Sequence, residues 1–131
     1  MEFRGAACLN TITPACTTEG YSTDTCLWVR YNPPGLGDNG PTTRFTFIDY
    51  GGAESYRLNS GTLIGKTFKT VDLTGVYRGG FQAPAKMRIT KQSPADLTTS
   101  ESVVLTGNIT DFDGTPGCDI QFKAAGTRRE N

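Results

Sequence analysis

Two neighbouring carboxylates are the residues of this chain that come nearest to a catalytic arrangement. Asp111 and Asp113 lie two positions apart, so an extended backbone would project both side chains to the same side. Glycoside hydrolysis needs two carboxyl groups facing each other across a cleft, whereas Asp113-Gly114 is typical of a turn. The chain has no histidine, which removes Ser-His-Asp and Cys-His mechanisms. We predict a protein that is not an enzyme and has no catalytic residues.

The same carboxylates lack the spacing of a known metal site. Residues 111–114 resemble part of a calcium loop, but an EF-hand needs further oxygen ligands at fixed offsets and a terminal Glu, which do not follow here. The cysteines form no Cys-x-x-Cys pair, and no histidine is present to complete a zinc site. We therefore predict no metal and no cofactor. An irregular calcium site that includes Asp119 is the alternative.

Four cysteines, Cys8, Cys16, Cys26 and Cys118, predict a disulfide framework. An even count in a small β-rich chain allows two bonds, with three possible connectivities. We expect Cys26 to bond Cys118, because each lies in a strand-like stretch with apolar neighbours, and Cys8 to bond Cys16. The alternative is four buried free thiols. Bonded cysteines would place the protein in an oxidising location.

Charge is segregated along the chain, although 13 basic and 13 acidic residues cancel. Seven basic residues and one acid lie between positions 57 and 91, and five acids without a base lie between 96 and 119. Cross-strand pairing within one sheet would explain this pattern, and so would complementary patches on neighbouring copies. The neutral balance argues against a nucleic-acid partner. The candidate assembly residues are Arg78, Lys86, Arg88, Lys91, Asp96, Glu101, Asp111 and Asp113.

Aromatic side chains offer a second kind of binding surface. Exposed rings on strands can form a platform for sugars, although aromatic residues more often fill the core. The candidates for such a platform are Trp28, Tyr31, Tyr50, Tyr56, Tyr77 and Phe81.

Short strands must position all of these residues. Alternating apolar segments separated by Gly, Pro and Asn predict about eight strands, at 25–31, 44–50, 55–58, 62–73, 76–78, 86–91, 102–112 and 118–123. This spacing indicates an all-β, single-domain antiparallel sandwich or barrel. We expect an irregular N-terminal arm over 1–24, the β domain over 25–125 and a polar C-terminal tail over 126–131. No stretch is apolar for long enough to span a membrane.

These observations predict a non-enzymatic structural protein that forms an ordered assembly. A virion component, such as a capsid, decoration or tail subunit, fits a short Thr- and Gly-rich chain of this kind. Its partners would be other copies of itself or other structural proteins, at the virion surface. The alternative is a secreted, disulfide-stabilised domain that binds a glycan or a protein.

Overall fold

A computed structural model of the chain describes residues 2–33, 35, 39, 43–48, 54–59, 71–77 and 82–129. Within these ranges the chain forms eight strands, one short helix, α1 (Pro14–Thr17), and a 3-10 turn at Phe112–Gly114. The strands are β1 (Glu2–Ile12), β2 (Cys26–Asn32), β3 (Arg44–Ile48), β4 (Glu54–Asn59), β5 (Val71–Tyr77), β6 (Gln82–Ser93), β7 (Ser102–Thr110) and β8 (Ile120–Arg129). The all-β prediction is confirmed.

The eight strands form one antiparallel sheet that closes into a barrel. Each strand pairs with the next along the chain, and β1 also pairs with β8. The structure therefore selects the barrel from the two predicted architectures. Closure provides hydrogen-bond partners for the backbone N–H and C=O groups that would be unpaired at the edges of an open sheet.

Side chains that alternate along the strands fill the barrel. Phe3, Tyr31, Phe45 and Leu58 occupy one register row across four neighbouring strands, and each is at most 2% exposed. The ring of Phe122 reaches this row from β8, with its centroid 5.6 Å from that of Phe45. Phe45, Phe47, Met87 and Ile89 are all buried on the inner side of the barrel. Removal of these side chains from water is the main stabilising contribution.

An aromatic side chain closes one end of the barrel, which we call the helix end because α1 lies there. Phe112, in the 3-10 turn between β7 and β8, is 1% exposed. Its ring centroid lies 5.2 Å from those of Tyr21 and Phe47 and 6.0 Å from that of Tyr56. At the opposite end, the Arg128 guanidinium donates hydrogen bonds to the carbonyls of Thr98 and Ser100, at 3.1 Å each.

The predicted irregular N-terminal arm is wrong for residues 2–12, which form β1. This strand is paired on both sides, because it lies between β2 and β8 in the closed barrel. Gly5 allows β8 to approach closely, since a Cβ there would lie 1.7 Å from the Ala125 carbonyl oxygen. The predicted polar tail is also wrong for residues 126–129, which continue β8 and pair with β1 and β7. Both segments were misassigned because distant pairing, not local apolar content, makes them strands.

All four cysteines are disulfide-bonded, as predicted, but the connectivity is Cys8–Cys26 and Cys16–Cys118. Cys8 and Cys26 lie opposite each other in the β1–β2 register, on the outer side of the barrel. Cys16 lies on α1, where it meets the segment that enters β8. The predicted Cys26–Cys118 and Cys8–Cys16 bonds are both wrong. Cys8 and Cys26 face outward, whereas Cys16 and Cys118 are buried at the helix end.

Candidate binding surface

The acidic residues at the helix end stabilise the turn between β7 and β8. The Asp111 carboxylate accepts a hydrogen bond from the Gly117 amide at 2.9 Å, and the Asp119 carboxylate accepts one from the Asp111 amide at 3.1 Å. Asp111 and Asp113 both have left-handed backbone conformations, with φ of 56° and 60°. Local side-chain bonds to the backbone are what make Asp tolerable at such positions. These carboxylates therefore have a structural use.

Asp113 is engaged as well, since it accepts a hydrogen bond from the Tyr21 hydroxyl. No group of three or more Asp, Glu, Cys or His residues suited to a metal ion occurs in the described part of the chain. Asp111 and Asp113 are thus parts of a hydrogen-bonded turn.

The predicted basic residues lie on the outer side of β6. Lys86, Arg88 and Lys91 are exposed, whereas Met87 and Ile89 point into the barrel. In the β6–β7 register, neutral Thr110, Asn108 and Thr106 lie opposite these three basic residues. On the other side, Asp72 of β5 lies opposite Arg88. Arg78 is outside the described residues.

The remaining predicted acids lie at the opposite end of the barrel. Asp96 and Glu101 belong to the connection between β6 and β7, and both are exposed. Hydrogen bonds from the Thr98 hydroxyl and amide lower the pKa of Asp96. Since β7 separates this connection from the turn at 111–119, the structure does not bring the four predicted acids into one patch. It divides them between the two barrel ends.

One small cavity lies inside the described part of the barrel. A cavity of about 10 Å³ lies among apolar side chains that include Phe3, Val29, Tyr31 and Leu105. This volume is close to the minimum for one water molecule, and its lining gives a water few polar partners. This cavity is too small to hold an organic ligand.

Arginines from separate strands meet on the outer side of β1–β4. Arg4 lies opposite Arg30 in the β1–β2 register, and Thr46 of β3 lies between Arg30 and Arg57. Arg44 projects from β3 on the same side, two residues before Thr46, and Arg129 of β8 pairs with Glu2 of β1. We call this surface the arginine face; its residues are Arg4, Arg30, Arg44, Arg57 and Arg129.

Two carboxylates hold some of these arginines in place. The Glu2 carboxylate is 6% exposed and lies 2.5 Å from Nε of Arg4 and 4.0 Å from Nε of Arg30. Glu54 lies 3.4 Å from a terminal nitrogen of Arg57. The side chains of Arg30 and Arg57 are only 26% and 32% exposed, and their Nε atoms are buried without a hydrogen-bond partner. The guanidinium groups are therefore partly removed from water.

The outward residue between two of these arginines shows how closely their side chains lie on the sheet. Thr46 has neighbours Arg30 and Arg57 in register and is only 1% exposed, although it faces away from the core. Arginine stems commonly cover adjacent surface in this manner while the charged head stays near water. The arginine face is consequently a packed surface of defined shape.

Trp28 extends the arginine face along β2. It is two residues from Arg30 on the same side of the strand and is 55% exposed, the only large exposed hydrophobic side chain in the described ranges. The predicted aromatic platform is wrong for Tyr31 and Tyr56, which are each 2% exposed in the core. Tyr50 and Phe81 lie outside the described residues, and the side chain of Tyr77 is also outside the description.

The arginine face is not evident from the sequence. Arg57 lies in the basic segment, but Arg4 lies in the predicted irregular arm and Arg129 in the predicted tail. The available signal was alternation: Arg4, Arg30, Arg44 and Arg57 each neighbour an inward aromatic or aliphatic residue on a strand. Strand register was still needed to show that they lie side by side.

Comparison of this closed antiparallel barrel with known protein families, curated proteins and solved structures found no match. Among the described residues, no helix has the length and apolar character needed to cross a membrane.

Proposed function

We propose that this protein is a non-enzymatic, disulfide-stabilised recognition domain that works in an extracellular, oxidising location and binds a glycan or a protein through its outer surface. The observation that carries the proposal is the pair of disulfides, Cys8–Cys26 and Cys16–Cys118, which leaves no cysteine free. Such bonds persist mainly in secreted proteins and at cell or virion surfaces.

The distribution of side chains supports binding at the outside of the barrel. Aromatic and aliphatic residues fill the interior, and the cavity found there is about 10 Å³. The absence of histidine from the sequence and the structural use of Asp111, Asp113 and Asp119 support a role other than catalysis. Partly ordered arginines beside an exposed tryptophan are typical of a surface that binds a partner.

A thiol count together with native mass tests this proposal. Protein purified without reductant should have no thiol reactive toward an alkylating agent under denaturing conditions, and its native mass should be that of a monomer. Four reactive thiols in freshly isolated protein, or a large symmetric particle, would contradict the proposal.

Ordered assembly, as in a virion component, is the second candidate. It is favoured by the exposed basic side chains of Lys86, Arg88 and Lys91 on β6 and by the exposed acids at one barrel end. The acidic end of one copy could contact the basic outer side of β6 in the next copy. Such contacts would be screened by salt over about 8–10 Å. Arg88→Glu with Lys91→Glu should then reduce the native mass of the assembly at low salt and leave the thermal transition of the monomer in place.

The reverse substitution Glu101→Lys provides the matched test of this second candidate. On its own, the Glu101→Lys variant should assemble less well than the wild type. When it is mixed with the Arg88→Glu, Lys91→Glu variant, assembly should be partly restored. A wild type that remains monomeric at high protein concentration and low salt would rule out assembly and leave the recognition domain.

A further inference from the structure

We infer that the arginine face binds a sulfated polysaccharide. The inference rests on the proposed recognition function and names the class of ligand for that surface. Its basis is charge complementarity between a regular array of guanidinium groups and a chain of sulfate groups.

The charge on this face differs from that of the whole molecule. The net charge of the chain is zero, whereas five arginines and two paired carboxylates, Glu2 and Glu54, occupy the described part of this surface. Neighbouring strands lie about 4.8 Å apart, so the row through Arg4, Arg30 and Arg57 places three cations across four strands. A polyanion lying across the strands could therefore contact several cations at once.

The chemistry of the cations also favours sulfate. Arginine presents a planar fork of donors that matches oxyanions and is more weakly hydrated than lysine. The basic residues of β1–β4 are all arginines, namely Arg4, Arg30, Arg44 and Arg57, and these four strands carry no lysine. Partial burial of Arg30 and Arg57 restricts their rotamers before binding, which reduces the entropy lost when an anion is bound.

A sulfated glycan fits these observations better than a nucleic acid does. Proteins that bind single strands usually combine a basic groove with several stacking aromatic residues, and Trp28 is the lone large hydrophobic exposed in the described ranges. One indole beside the cations suits the apolar face of a sugar ring. The disulfides are also consistent with an extracellular location.

Trp28 provides the measurement, because it is the single tryptophan of the chain and lies beside Arg30. The disulfide-intact protein is titrated with a heparin oligosaccharide while tryptophan emission is followed. The expected result is a saturable change in emission whose midpoint moves to higher ligand concentration as salt is raised. Chemically desulfated heparin of the same length should give no saturable change.

A matched pair of variants locates the site. Arg30→Gln with Arg57→Gln keeps most of each side chain and should weaken heparin binding about tenfold or more, equivalent to at least about 1.4 kcal/mol. Arg88→Gln with Lys91→Gln removes the same number of cations from β6 and should change the affinity by less than about twofold. Thermal melts show whether each variant is folded. If the Arg30→Gln, Arg57→Gln variant is unfolded, it is replaced by Arg4→Gln with Arg129→Gln, which lie at more exposed positions.

Three outcomes would overturn the inference: no saturable binding by the wild type, equal affinity for desulfated heparin or single-stranded DNA, or an equal loss in the β6 control. These outcomes are distinct from failure of the proposed function. If the protein is an oxidised monomer that does not bind heparin, it remains a recognition domain for another glycan or a protein. Free thiols or a large particle would refute the recognition function, whether or not the protein binds heparin.

Discussion

Tyr31 shows how one polar group is accommodated inside the barrel. Its side chain is 2% exposed, and its hydroxyl donates a hydrogen bond to Oε1 of Gln92 at 2.7 Å. The amide nitrogen of Gln92 in turn donates to the Ala95 carbonyl at 2.9 Å. This chain of bonds satisfies a buried hydroxyl and connects the core to the segment after β6. Burial raises the pKa of Tyr31 well above its ordinary value of 10.

This shift predicts a loss of stability at alkaline pH. The stabilisation from neutral Tyr31 is present below about pH 10 and is lost as the pH rises, because only the unfolded chain ionises there. Tyr31→Phe should therefore lower the free energy of unfolding by about 1 kcal/mol at pH 7 and should show a shallower decline above about pH 10. Denaturant titrations of both proteins across this range give the comparison. Parallel pH profiles would contradict the assignment.

At the scale of elements, the two disulfides have different structural uses. Cys8–Cys26 joins adjacent strands that already pair, and it encloses a short segment with a sequence separation of 18. Cys16–Cys118 ties α1 to the segment that enters β8, and its sequence separation is 102. The second bond lies at the end of the barrel that Phe112 closes.

Removing each bond separately should show this difference. In the chain-entropy treatment, the longer loop contributes about 5 kcal/mol and the shorter about 3 kcal/mol. Cys16→Ala with Cys118→Ala should consequently reduce the free energy of unfolding more than Cys8→Ala with Cys26→Ala. Chemical denaturation of the two double variants measures the order. An equal or greater loss in the Cys8, Cys26 variant would refute it.

For the whole molecule, closure of the barrel makes the first strand, β1, and the last strand, β8, neighbours within the sheet. β1 and β8 pair over ten residue positions and are each paired again on their other side. A fraying arm would instead exchange its amide hydrogens with water almost at once.

Hydrogen exchange should therefore be slow near both termini. Amides within residues 3–9 and 120–127 should be protected to a degree similar to those of β7, because the same cooperative barrel must open to release them. Mass spectrometry of peptides from exchanged protein measures this. The connection at 94–101, which is largely exposed, is the internal control and should exchange much faster. Rapid exchange throughout residues 3–9 would contradict closure by β1.

Local sequence patterns were sufficient to predict the class of fold and which residues share a face of a strand. Alternation puts Phe45 and Phe47 on one face of their strand, and Met87 and Ile89 on one face of theirs, since side-chain direction in a strand follows from the two-residue repeat. Glycine, proline and asparagine located the turns by their local backbone preferences. Composition likewise predicted bonded cysteines and excluded histidine-dependent chemistry. The strand and turn predictions depend on interactions between residues close together in the chain, whereas the cysteine and histidine conclusions depend on composition alone.

Contacts between residues distant in the chain depend on the tertiary structure. Residues 2–12 become a strand because β2 and β8 pair with them, and Cys8 bonds Cys26 because the β1–β2 register aligns the two. The arginine face depends on the register of four strands, in which Arg4, Arg30 and Arg57 come from segments far apart in sequence. A shift of one residue in any strand would turn its arginine inward. Register is set by packing of the whole barrel, so no local pattern could have assembled that surface.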